Sequence, residues 1–201
     1  MFLKWYKRKI LPCLLNSAMS NKRLESIRKS VIEQARGEVL EIGIGAGHNI
    51  PLYKNISKLY ALEPSEELLA LAKTKLAHVP IEFVRAGAEQ IPLPNHSLDT
   101  VISTWTLCSV EAPEIVLAEV KRVLRPDGQF LFVDHGVSPH LLSQALQNIL
   151  TPITKRTSGN CHLNRDIEKL ITDAGFKILD MEHPTMGFKL LAYNYQGLAN
   201  T

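Results

Sequence analysis

Val39-Leu40-Glu41-Ile42-Gly43-Ile44-Gly45-Ala46-Gly47 is the stretch that decides the fold. Its first half is a short apolar run with the character of a buried strand. Its second half places glycine at every other position. A strand running into such a loop lets backbone approach a ligand closely. Side chains there would block the approach or could not take the backbone angles required. A tight strand-to-helix turn would use the same residues, so the loop alone does not identify a ligand.

On both sides of the loop the chain alternates between strand and helix patterns. Residues 58–63, 81–86, 98–104 and 129–134 read as further strands. Ser65 is placed to cap a helix over 66–77 with acids in its first turn. Pro113 suits the start of a helix running to 124, and Pro126-Asp127-Gly128 reads as a tight turn. Helices are expected at 141–150 and 165–174, the second capped by Asn164 and ended by Gly175. Strands at 176–182 and 187–195 lie close enough in sequence to form an antiparallel hairpin. Residues 2–36 read as helical, with a break or restart at Pro12.

The expected architecture is α/β: a doubly wound, mainly parallel seven-stranded sheet with an antiparallel C-terminal hairpin strand and N-terminal helices. A length of 201 residues fits one domain, with 1–36 as a helical arm or lid. Ligands of such sheets bind beyond the carboxyl ends of the strands. That selects the loops after residues 43, 63, 86, 104 and 134.

Glu63 ends the second strand, twenty residues past Gly43. An acid there can accept hydrogen bonds from both hydroxyls of a ribose. The dinucleotide fingerprint requires a third glycine five residues after the first. That position is His48, and the third glycine falls at Gly47. The spacing therefore weighs against a nicotinamide or flavin dinucleotide.

The run 39–47 resembles motif I of the class I methyltransferases that use S-adenosylmethionine (SAM). Ala88-Glu89 through Asp99, and Glu119 through Gly128, resemble the segments flanking the fourth strand in the type 11 branch of that family. Thr104–Val110, Phe132–Gly136 and Asn160–Asp166 resemble a bacterial subgroup similar to the small thiol methyltransferases of animals. The resemblance implies a Rossmann-like methyltransferase fold, with SAM as cofactor and S-adenosylhomocysteine as product. It implies a cofactor site at Glu41, Gly43, Gly45, Gly47, Asn49, Glu63, Pro64, Ala88, Glu89 and Thr104. The chain departs from the pattern at Gly87, where many members carry an acid for the adenine amine, so Ala88 backbone and Glu89 are expected to hold the adenine. It also departs at Leu146-Gln147, where the subgroup often has a Trp-Gln pair.

Methyl transfer from a sulfonium needs an acceptor held in line with the sulfur–methyl bond, and positioning can supply about 7–11 kcal/mol. A thiol acceptor must also lose its proton, and its free pKa is about 8.5. His135, after the fifth strand, and His162, in the loop before a late helix, are the candidate catalytic residues. Each can equally be structural. Cys161 as a nucleophile is disfavoured, because direct transfer needs no covalent intermediate. Cys108 reads as a small buried hydrophobe, and Trp105 as a wall of the site or a core aromatic.

Three cysteines, an odd number widely spaced, argue against a disulfide framework and for a reducing cytoplasm. No C-x-x-C or H-E-x-x-H pattern occurs, so no metal is expected. The net charge is +3, but residues 1–36 hold nine Lys/Arg and two acids, and the remainder is net acidic. That asymmetry reads as a solvated basic helix face or as weak peripheral contact with anionic lipid at the inner membrane face. The sequence shows no basic run interleaved with aromatics, which weighs against nucleic acid as a partner. The leading expectation is methyl transfer to a small, fairly apolar acceptor such as a thiol. The alternatives are a phospholipid or quinone head-group methyltransferase, a non-catalytic SAM-binding module, and a dinucleotide-dependent oxidoreductase.

Overall fold

The computed structural model describes residues 2–184 and 193–201. Strands β1 (Glu38–Ile42), β2 (Lys58–Leu62), β3 (Ile81–Val84), β4 (Leu98–Thr104) and β5 (Leu124–Gly136) run parallel. Strands β6 (Lys177–Glu182) and β7 (Tyr193–Asn200) complete a seven-stranded sheet in the order β3-β2-β1-β4-β5-β7-β6. β7 is antiparallel to both its neighbours. The winding reverses between β1 and β4, so the carboxyl ends of those two strands form the switch point where ligands of this architecture bind.

Alternation along each strand divides the core into two layers. Leu40, Ile42, Val101, Phe130 and Phe132 face helices α5 (Pro113–Val123) and α7 (Ile167–Asp173). Val39, Leu59, Ala61, Ile102, Leu131 and Val133 face α3 (Lys22–Ile32) and α4 (Glu66–Ala72). Each such buried Leu, Ile or Phe contributes about 1.5–3 kcal/mol. Ahead of α3 lie α1 (Phe2–Lys9) and α2 (Leu11–Met19), with Pro12 in the first turn of α2, where a missing N–H does no harm.

Local chemistry explains where the elements differ from the sequence reading. Pro126-Asp127-Gly128 is a bulge inside β5: Leu98 pairs with Leu124, and pairing resumes at Thr100 and Gln129. α4 stops at Ala72 because the amides of Thr74 and Lys75 bond three residues back and tighten the turn. Helix α6 (Leu141–Thr157) runs through Pro152 and beyond residue 150. The hydroxyls of Thr151, Thr154 and Thr157 bond back to helix carbonyls around the proline. Asp166, not Asn164, caps α7, its side chain accepting from the Lys169 amide at 3.0 Å. Asn164 instead donates to Asn148 on α6. The last strand sits at 193–200; most of the stretch expected for it, 187–192, lies outside the described residues.

Candidate active site

The three glycines of the loop all have positive φ, +65° at Gly43, +55° at Gly45 and +77° at Gly47. A Cβ at Gly43 would overlap Thr106, and one at Gly47 would lie 2.8 Å from Ala72 Cα. A Cβ at Gly45 would meet only the Gly43 carbonyl, at 3.9 Å. Packing therefore requires Gly43 and Gly47, whereas Gly45 keeps open the space in front of the loop.

Glu63 is locked to this loop. Its Oε2 accepts from the Gly45 amide at 3.0 Å and its Oε1 from the Ser65 amide at 2.9 Å. Burial pushes its carboxyl up, and the two amides pull it back. Each oxygen keeps acceptor capacity beyond its amide bond, which suits a diol.

Glu41 lies beneath the loop, 1% exposed. Asn49 Nδ2 donates to it at 2.6 Å, the Tyr53 hydroxyl at 2.7 Å and the Thr104 hydroxyl at 3.2 Å. Burial raises its carboxyl to about 7 against these donors. Glu41 thus orients Asn49 and Thr104, which line the cavity above it.

That cavity, of about 770 Å³, opens at the switch point. Among the expected cofactor residues, Gly43, Gly45, Asn49, Glu63, Pro64, Ala88, Glu89 and Thr104 line it. Glu41 and Gly47 lie behind the lining. The roof comes from α2, through Leu11, Pro12, Leu15, Asn16, Ala18 and Met19. His48 Nε2 lies 3.1 Å from the Asn16 carbonyl oxygen and ties the loop to this roof. Tyr6 donates to the Thr157 carbonyl, and Arg8 pairs with Glu67, so α1 is tied to α6 and α4.

Arg28 and Asn16, neither of them an expected site residue, also line the cavity. Arg28, counted in the basic N-terminal face, is 3% exposed. It sits on the apolar stripe of α3 with Leu24, Ile27 and Val31. Its Nη1 donates to the Met19 carbonyl, while its Nε is buried without a partner. Asn16 Oδ1 and Asn49 Oδ1 are likewise buried without a partner. An arginine at a core position of an amphipathic helix was the signal available for Arg28; Asn16 carried none.

At the ends of β4 and β5 the lining changes to sulfur and imidazole. Cys161 Sγ lies 3.1 Å from His135 Nε2, and ligand atoms of Cys108, His135 and Cys161 all fall within 4.8 Å of one another. Burial opposes ionisation of Cys108, but the hydrogen bond with Cys161 and the charge of His135 hold its thiol well below the ordinary range. Cys161 is pushed up by that same bond and by burial. His135 rises to about 9, burial working against the shift and the Cys108 charge overriding it.

His162 does not line the cavity. Its amide donates to the Cys108 carbonyl at 2.8 Å and its Nδ1 lies 2.8 Å from the Asn160 oxygen. Cys108 is buried, as expected, but faces the cavity rather than the core proper. Trp105 lines the cavity and also packs against the core layer on the α3 side. Gln147 bridges the Gly136 carbonyl and the Ser138 amide, holding the segment after β5 rather than lining the cavity.

The unsatisfied atoms match an amino-acid-bearing nucleoside. Arg28 Nε is a donor for a carboxylate, the two asparagine oxygens are acceptors for an ammonium, and Glu63 suits a ribose. SAM carries all three groups. A dinucleotide would bring a pyrophosphate, for which these acceptor oxygens are wrong.

Comparison with known proteins agrees. A family model described as a methyltransferase domain matches residues 40–132. The thiol S-methyltransferase TMT1B of Rattus norvegicus is 34% identical over 87% of this chain and 78% of its own length. A phosphatidylethanolamine N-methyltransferase of Cereibacter sphaeroides is 33% identical over 72% of each chain. A SAM-dependent methyltransferase of Leishmania major superposes with a TM-score of 0.71 at 18% identity, over 98% of this chain and 80% of that one, which supports the fold. The chain is an enzyme with S-adenosylmethionine as its cofactor, and it belongs to the SAM-dependent methyltransferase family that includes the thiol S-methyltransferases.

Proposed function

We propose that this methyltransferase acts on the sulfur of a small, fairly apolar thiol. The observation that carries the reading is the lining at the ends of β4 and β5, where Cys108, His135 and Cys161 meet the cavity beside Trp105. Glu63 directly follows β2, three strand positions from β5. Neighbouring strands are about 4.8 Å apart, so ribose and acceptor ends lie roughly 14 Å from each other. The thiol S-methyltransferases named above support the same acceptor class.

The cofactor supplies a sulfonium methyl that is already electrophilic, and the protein positions its partners. Arg28 holds the carboxylate, Asn16 and Asn49 the ammonium, and Glu63 the ribose. Ala88 and Glu89 flank the adenine, with Pro64 beside them. His135 contacts the acceptor. His162 positions the loop that carries Cys161. The helices before β1 serve as a lid, which excludes water from the transfer.

A labelled-methyl assay against thiols, phenols, amines and phospholipids tests the acceptor. Thiols alone should be labelled; transfer confined to another class overturns the reading. Glu63→Ala should weaken SAM binding at least about tenfold by calorimetry, from the loss of two charge-assisted hydrogen bonds.

A second reading concerns where the enzyme works. Leu142, Ile149 and Ile153 form an exposed stripe on α6, and Leu14 is exposed on α2. Lys155 and Arg156 flank the stripe, and no helix among the described residues is long and apolar enough to cross a membrane. We place the enzyme in the cytoplasm, with weak contact at an anionic membrane surface. Co-sedimentation with anionic vesicles should be detectable at low salt and lost at high salt. A head-group acceptor, as the phosphatidylethanolamine methyltransferase suggests, would be labelled in the same vesicles.

A further inference from the structure

Cys108, His135 and Cys161 come from three separate segments, the turn after β4, the end of β5, and the loop between α6 and α7. No short spacing motif joins them. The fold nonetheless holds them together with several bonds. The Cys108 amide donates to buried Asp134 at 3.1 Å, and Ser103 fixes the other Asp134 oxygen at 2.9 Å. The His162 amide and Asn160 Nδ2 reach the carbonyls of Cys108 and Ser109, both at 2.8 Å. Arg165 donates to the carbonyls of Leu107 and Val110. Two non-glycine residues with positive φ, Trp105 at +51° and Asn160 at +68°, lie next to these segments. Such angles persist only where surrounding structure fixes them, and they gather at functional sites.

Three soft ligand atoms therefore converge in a fixed arrangement on the wall of the acceptor cavity. A tetrahedral zinc ion has ligands at about 2.0–2.3 Å, which puts neighbouring donors roughly 3.3–3.8 Å apart. Separations below 4.8 Å meet that need with small side-chain adjustments. A set of two cysteines and one histidine is a catalytic zinc set with its fourth position open. It contains no carboxylate, which disfavours magnesium and calcium.

We propose that Cys108, His135 and Cys161 bind one zinc-class cation whose open position faces the cavity and takes the acceptor as its thiolate. Cation binding releases to solvent the two protons that Cys108, His135 and Cys161 share beforehand, so that both sulfurs are thiolates and the imidazole is neutral. A thiol entering the fourth position forms a metal–sulfur bond and gives its own proton to solvent, with no change of oxidation state. The acceptor thus arrives ionised without a general base. Binding of the cation is independent of the acceptor assignment, whereas the use of the fourth position rests on the thiol reading above.

The test uses the reduced full-length chain. Zinc is titrated against a chromophoric chelator, and cobalt(II) replaces it as a spectroscopic probe. One equivalent per chain is expected, with a thiolate-to-cobalt charge-transfer band and the intense visible bands of a tetrahedral site. Cys108→Ser and Cys161→Ser should each weaken zinc by more than about a hundredfold, because losing even an outer-shell partner costs ten- to a hundredfold. SAM calorimetry shows whether each variant has folded. In the unmodified chain, bound zinc should slow alkylation of Cys108 and Cys161 and leave exposed Cys13 unaffected, which tests the site without any substitution. Failure to bind zinc at micromolar concentration overturns the proposal, and so does equal protection of all three cysteines. A small thiol should shift the cobalt spectrum; an unshifted spectrum overturns the open position. Thiol methylation undiminished by chelation overturns the metal's role and leaves the thiol reading standing. A cobalt site without thiol methylation upholds the cation site and sinks that reading.

Discussion

Arg28 is the residue on which recognition of the donor's amino-acid end turns. It is buried on α3, and its Nε lacks a partner. Hydrogen bonds to charged groups contribute about 1.5–3 kcal/mol. Arg28→Gln should therefore weaken SAM roughly ten- to a hundredfold, yet leave a donor analogue without the carboxylate nearly unaffected, as calorimetry can show. Glu41 governs a different observable. Its carboxyl is raised to about 7 by burial, above the ordinary 4.5. The folded state therefore binds a proton that the unfolded chain has released. Its contribution to stability is full below about pH 4.5 and is lost as pH rises through about 7, a loss of about 3 kcal/mol. Urea midpoints should drop from pH 5 to pH 8, and Glu41→Gln should flatten that drop. Glu63 was legible in the sequence because it follows an apolar strand, and Glu41 through the family resemblance. Arg28 was not, because a count of charges hides which face of a helix a charge occupies. The sulfur–imidazole cluster was hidden for another reason, since its members meet only through tertiary packing.

At the scale of elements, the glycine loop separates two requirements that look alike in sequence. Gly47→Ala would press a Cβ against Ala72 in a strained backbone, and a residue held in such a region costs about 1–3 kcal/mol. Gly45→Ala has the same backbone strain but open space around its Cβ. Thermal melting without ligand should therefore be lowered more by Gly47→Ala, whereas SAM affinity relative to stability should suffer more in Gly45→Ala. The mainly parallel sheet and its antiparallel end were readable from the alternation of strand and helix patterns, whereas the order of the strands came only with the structure. Element ends were less so. The helix expected over 141–150 runs on through Pro152, and the threonine hydroxyls that let α6 pass it form a pattern only once the helix exists. Asp166 displaced Asn164 as a cap because Asn164 is drawn to α6.

Across the whole molecule, α1 and α2 form a roof that is fastened at separate points, by His48 to Asn16, Arg8 to Glu67 and Tyr6 to Thr157. Neither core layer of the sheet contains a residue of α1 or α2, and α3 meets the roof through the Arg28 bond to the Met19 carbonyl. A chain beginning at Ser20 should keep a cooperative unfolding transition while losing about tenfold or more in SAM affinity, since it lacks Asn16 and the apolar lining of α2. Loss of the transition would show instead that the roof is part of the core. The unpartnered nitrogen of Arg28 then has a consequence beyond catalysis. A bound carboxylate relieves a buried charge deep in the molecule, so occupancy is worth RT ln(1 + [L]/Kd) of stability, about 2.7 kcal/mol at a hundredfold excess over Kd. Shifts of that size change how much of a chain is open to proteases. The steady-state amount of this enzyme in a cell should therefore follow the supply of methyl donor, rising when donor is plentiful and falling under methionine starvation.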